Sequence, residues 1–126
     1  MFVLGIDPGL SRCGYGVVTR RGGSLVAVAG GVVSTAPSMP LPDRLRTLSD
    51  ELRALVAEFG PEAVVVERVF FQVNARTAMA TGQAAGVAMV VAAEAGCVRT
   101  VDGPDIHRGG HLRVGGQARP AADRGP

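Results

Sequence analysis

The chain contains no lysine: all thirteen of its basic residues are arginine, which points to GC-rich coding sequence rather than to a function. Excess charge is nearly absent as well. A net charge of +2 excludes a histone-like or tail-driven nucleic-acid binder, so any contact with DNA has to come from local geometry. Cysteine is scarce. Cys13 and Cys97 lie far apart, form no CxxC pattern, and read as two free thiols in a reducing compartment. There is no long apolar run, because the longest, Ala84 to Ala93, is too short to span a bilayer. No secretory signal is expected either, since Asp7 interrupts the N-terminal apolar stretch and no basic segment precedes it. The expectation is a cytoplasmic protein with no membrane partner. What is present is 126 residues at 47% apolar content, the length of one domain and enough to bury a core.

The apolar residues change period along the chain. Phe2 to Ile6 is a strand-length run closed by the turn signal "DPG". "CGYGVVT" (Cys13 to Thr19) reads as a second strand, "RRGG" as a turn, and "SLVAVAGGVVS" (Ser24 to Ser34) as a third strand. Short connections between these three predict an antiparallel meander. From Pro42 to Gly60 the period becomes helical, with Leu45, Leu48, Leu52, Leu55 and Phe59 on one face. Asp43 is placed to cap that helix, and Gly60 with Pro61 ends it. "AVVVE" (Ala63 to Glu67) has the continuous apolar character of a strand buried on both faces. An Ala/Gly-rich helix from Asn74 to Gly96 follows, then a fifth strand over Cys97 to Val101. The order β-β-β-α-β-α-β predicts an α/β domain with a mixed five-stranded sheet and flanking helices. Its first strand sits between the meander and a parallel fourth strand.

Two of these strands end on an acid, Asp7 after "VLGI" and Glu67 after "AVVV". On neighbouring parallel strands, about 4.8 Å apart, both carboxylates share one sheet edge. Two carboxylates that close repel unless a cation compensates, and an all-oxygen donor set suits Mg²⁺ or Mn²⁺. Gly9, Gly14 and Gly16 keep side chains away nearby, leaving room for a phosphodiester and its metal-assisted hydrolysis. The plainer alternative is that Asp7 opens a turn and Glu67 caps a strand at the surface. After Glu67, "RVFFQVNARTA" carries Phe70, Phe71, Gln72, Asn74, Arg76 and Thr77. Aromatics beside amides and an arginine suit stacking on an unpaired base and holding its backbone. Equally, one Phe can staple the helix that Asn74 caps.

"GIDPGLSRCGYGVV" together with "VVVERVFFQVNARTAMATGQAAGV" resembles the RuvC family of Holliday-junction resolvases, over about residues 1 to 101 and in the family's order. "GIDPG" alone is shared with sugar kinases and Hsp70-type ATPases, whereas "ERVFFQVN" after "VVV" is specific. The resemblance implies an RNase H-like fold and a homodimer that cuts two symmetric strands of a four-way DNA junction in recombination and repair. It implies Mg²⁺ held by four ligands, with Asp7 and Glu67 as the first two. It also implies a base-stacking aromatic at Phe70, a dimer helix starting at Asn74, and partnership with the RuvA–RuvB branch-migration complex.

From Asp102 to Pro126 the chain departs from that family. The family's last helix, with its final two ligands in an HxxD or DxxD pattern, is missing. In its place stand six Gly, three Pro and four Arg in 25 residues, which reads as a disordered tail. Asp102, Asp105, His107, His111 and Asp123 lie in it, but Gly109 and Gly110 argue against a helix that would pair the two histidines. The expectation is an incomplete nuclease core over 1–101 and a truncated or frameshifted end. Two rival readings stand beside the nuclease. One is a remnant that only dimerises or binds DNA. The other is an actin-like nucleotide-binding ATPase, for which 126 residues leave no second phosphate loop.

Overall fold

A computed structural model of the chain describes residues 1–67, 75–96 and 98–101, the last four by their backbone path. Strands β1 (Phe2–Asp7), β2 (Arg12–Arg21) and β3 (Ser24–Ser34) are joined by short turns. Helix α1 (Leu41–Phe59), strand β4 (Ala63–Glu67), helix α2 (Ala75–Glu94) and strand β5 (Val98–Val101) follow. The expected element order therefore holds, and the five strands form one sheet in the order β3-β2-β1-β4-β5. The β1–β2 and β2–β3 pairs are antiparallel, while β1–β4 and β4–β5 are parallel. A register shift between Val17 and Val18 bends the long β2–β3 ribbon.

One sheet face carries the core. Leu4 and Ile6 of β1, Tyr15 and Val17 of β2, and Val64 and Val66 of β4 meet Leu48, Leu52 and Leu55 of α1 and Ala84, Ala88 and Val91 of α2. The three leucines are completely buried, as the heptad-like spacing of α1 requires. Leu45 is half-buried, and Phe59 sits against the core with its ring edge-on to Phe2 at 6.2 Å. The small residues of α2 let it approach the sheet closely. Among the described residues, no helix is long and apolar enough to cross a membrane.

The start of α1 differs from expectation. Pro40, not Asp43, occupies the N-cap, and no side chain caps the helix. Pro42 falls in the first turn, where its missing N–H costs nothing and its fixed φ favours helix, so nucleation begins two residues before the acid. Asp43 instead lies within the first turn, where a negative charge complements the exposed N–H groups. The far end behaves as read. Gly60 adopts φ +52° and donates its N–H to the Val56 carbonyl at 2.9 Å.

Candidate active site

Parallel pairing of β1 with β4 runs Val3↔Ala63, Leu4↔Val64, Gly5↔Val65 and Ile6↔Val66, so the next step along both strands brings Asp7 beside Glu67. Side chains alternate across a strand. Leu4, Ile6, Val64 and Val66 point into the helix-covered core, and Asp7 and Glu67 therefore belong to the opposite face. Both residues are exposed at the carboxyl ends of the parallel strands, the place where open α/β sheets bind ligands. The two acids thus share one edge of the sheet, as the strand pattern implies, and both face solvent there.

The carboxyl groups interact directly. Partial withdrawal from water, the negative charge of Asp7 and a hydrogen bond between the two side chains all hold the Glu67 carboxyl above its ordinary pKa, in that order of importance. A divalent cation held between two such acids would offset their repulsion and compete with protons for their oxygens. Their hard oxygen donors fit Mg²⁺ or Mn²⁺ rather than a soft metal. Among the described residues, no group of three or more His, Cys, Asp or Glu side chains gathers into a metal cluster.

The three glycines differ in purpose. Gly14 pairs across the ladder with Asp7, and a Cβ there would stand 3.6 Å from the Asp7 Cβ, an ordinary contact. Gly16 pairs with Gly5, two residues back along the same sheet face as Asp7. Gly9 is the demanding one, since a Cβ there would come within 2.2 Å of the Arg12 carbonyl oxygen. The turn itself therefore needs glycine at position 9, whether or not a ligand approaches. Beneath that turn Cys13 is buried, and burial pushes its thiol up to about 11, so it remains protonated and inert.

Of the expected nucleic-acid contacts, Arg76 and Thr77 are exposed in the first turn of α2. Phe70, Phe71, Gln72 and Asn74 lie outside the described residues, as do Cys97 and the segment from Asp102 to Pro126. Sequence reading missed the contacts that hold the Pro8–Ser11 turn. The Arg44 Nη2 donates to the Ser11 Oγ at 2.9 Å, and the Thr35 Oγ1 donates to the Leu10 carbonyl. An arginine, a threonine and a serine separated by up to 33 positions give no local signal of this contact.

Residues 3–102 match the family described as crossover junction endodeoxyribonuclease RuvC. The chain belongs to the RuvC family. A RuvC from Salinispora arenicola (strain CNS-205) is 55% identical over 97 residues, covering 76% of this chain and 55% of that protein. A RuvC from Anaeromyxobacter sp. (strain Fw109-5) is 46% identical over 96 residues, covering 76% of this chain and 47% of that protein. The structure of T. thermophilus RuvC in complex with a Holliday junction substrate superposes with a TM-score of 0.75 at 34% identity, covering 86% of this chain and 67% of that one. The fold is thus the RNase H-like α/β sheet of RuvC proteins. The chain spans about half the length of the curated RuvC relatives it matches.

Proposed function

We propose that the chain is the core of a Holliday-junction resolvase, an endodeoxyribonuclease that hydrolyses phosphodiesters in a four-way DNA junction during recombination and repair. The observation that carries this reading is the coupling of Asp7 to Glu67 at the ends of neighbouring parallel strands. Membership of the RuvC family and likeness to a relative bound to a Holliday junction support it. Asp7 and Glu67 would hold Mg²⁺, with Mn²⁺ as a substitute. When bound, such a cation supplies Lewis-acid neutralisation of the charge that grows on the phosphodiester during hydrolysis. The chain's own part is to hold two oxygen donors at one lip of a rigid sheet, where partial burial and the neighbouring Asp7 charge raise the Glu67 carboxyl above its ordinary pKa and a cation would offset that repulsion.

Around this centre, residues 1–101 would form the nuclease core. Phe70 and Phe71 would stack on junction bases, while Gln72, Asn74, Arg76 and Thr77 would hold the backbone beside them. A homodimer suits a two-fold substrate, and exposed Met79, Met89 and Val90 on α2 support that helix as the meeting face. The RuvA–RuvB complex is the expected partner and the cytoplasm the expected place. A second reading, junction binding without cutting, is favoured by one observation. Among the described residues the acids number two at this site, and two carboxylates alone bind Mg²⁺ weakly.

The test is a gel-shift and Mg²⁺-dependent cleavage assay on a four-way junction. It compares this chain with a version extended by the C-terminal segment of a RuvC relative. The chain should bind and cut little. The extended version should cut, and Asp7→Asn in it should abolish cutting while leaving binding largely intact. Undiminished cutting by that variant would overturn the assignment of Asp7.

A further inference from the structure

The backbone that leaves Asp7 is tied down by residues from two distant elements. Pro8 is buried and restricts the conformation of Asp7 itself. The chain then passes Gly9 in the tight approach to the Arg12 carbonyl, and Leu10 drops its side chain into the interior at 7% exposure. Past this point the turn is held from outside. Thr35, directly after β3 and 6% exposed, uses its hydroxyl to donate to the Leu10 carbonyl. Its backbone N–H donates to the Ser11 carbonyl at 3.2 Å. Arg44, in the first turn of α1, completes the clamp. Its Nε donates to the Thr35 Oγ1 at 3.0 Å, and its Nη2 donates to the Ser11 Oγ at 2.9 Å and to the Thr35 carbonyl at 3.4 Å.

We propose that Thr35 and Arg44 are positioning residues for the Asp7–Glu67 cation site, acting through the Pro8–Ser11 turn. The inference rests on the reading of Asp7 and Glu67 as cation ligands. Among the described residues Arg44 has no carboxylate partner, so its guanidinium serves this turn rather than an ion pair. The β-ladder holds the chain up to Asp7, with β2 on one side through Gly14 and β4 on the other. The clamp holds the chain that follows Asp7. Ligand geometry tolerates displacements of only about 0.5 Å, so a turn free to shift would loosen the site without unfolding the sheet. The guanidinium fork is needed as well as the charge, because one planar group reaches Thr35 and Ser11 together.

The full chain can be titrated with Mn²⁺ and followed by NMR line broadening, with amide hydrogen exchange of residues 9–12 measured in parallel. In the parent protein, broadening should centre on residues 7 and 67 and vanish in Asp7→Asn. Thr35→Val should weaken Mn²⁺ binding by about tenfold and speed exchange in the turn, the scale of effect seen for residues that orient metal ligands. Thr35→Ser, which keeps the hydroxyl, should behave as the parent does. Arg44→Lys should move both readouts in the same direction as Thr35→Val, and it supplies the test if the valine variant does not fold. Parent-like affinity and parent-like exchange in a folded Thr35→Val or Arg44→Lys protein would overturn the proposal, as would failure of serine to rescue. Absence of broadening at residues 7 and 67 in the parent would overturn the cation reading first, and the clamp's role with it.

Discussion

The two helices pack against the same sheet face but complete their surfaces differently. Helix α1 has one apolar face, centred on the completely buried Leu48, Leu52 and Leu55 with Leu41 exposed at its start, and a charged outer face with Arg46, Asp50 and Arg53. Helix α2 is apolar on two sides. Ala84, Ala85, Ala88, Val91 and Ala92 face the core, while Met79 and Val90 remain 67% and 54% exposed. A helix that is apolar beyond its buried stripe carries surface fit for another partner, whereas α1 exposes a single large apolar side chain, Leu41. The difference is that the outer side of α1 is charged, whereas the outer apolar residues of α2 are the surface on which the proposed dimer would rest.

The strongest challenge to this contrast is Leu52→Ala. It removes a completely buried side chain of α1 and should cost about 2–5 kcal/mol in urea unfolding. Ala88→Leu should cost about 1–3 kcal/mol, because the buried face of α2 is close-packed with small residues and has no room for extra methylenes. Val90→Glu on the outer face should change monomer stability by no more than about 0.5 kcal/mol. The same substitution should shift sedimentation toward the monomer if that face pairs two copies. A loss of stability comparable to Ala88→Leu would erase the distinction between the two faces.

The smallest effect concerns the clasp between the helices. The Arg53 Nε and Nη2 donate to the two Glu94 carboxylate oxygens at 2.9 and 3.1 Å, in the open. That hydrogen bonding and charge hold the Glu94 carboxyl below its ordinary pKa. A depressed folded value means the clasp contributes above the unfolded carboxylate pKa and is lost as pH falls through the folded one. Melting temperature should therefore fall slightly on acidification from about pH 7 to about pH 3, and part of that fall should disappear in Glu94→Gln. Added salt should weaken the effect, as for any exposed pair. Pro42 and Gly60 limit α1 independently of this clasp, so the helix itself should persist.

The meeting of Asp7 and Glu67 at one edge could be read from the sequence because its signal is local: an apolar run that stops on a charge marks a strand end, and two such runs mark two ends at one edge. The leucine face of α1 was legible for the same reason, as its period lies within one segment. The outer face of α2 was legible only in part, since Ala and Gly spacing shows that close packing is possible without showing which side is covered. The start of α1 was misread because Asp43 satisfies a capping pattern that Pro42 overrides one residue earlier. The clamp on the Pro8–Ser11 turn was invisible. Its members, Ser11, Thr35 and Arg44, are polar residues of ordinary type that only the folded chain brings together.

The central claim is that Asp7 and Glu67 form one coupled pair able to exchange a proton for a divalent cation. It is tested most directly by following the Glu67 carboxyl by NMR through a pH titration in the parent protein and in Asp7→Asn. The parent should titrate above the ordinary glutamate value. The substitution should bring Glu67 down toward that value, because it removes the neighbouring charge while leaving partial burial in place. Mg²⁺ added to the parent should lower it in the same direction, since the cation competes with the proton. A Glu67 titration unaffected by either change would mean that the two acids act separately, and it would contradict the account.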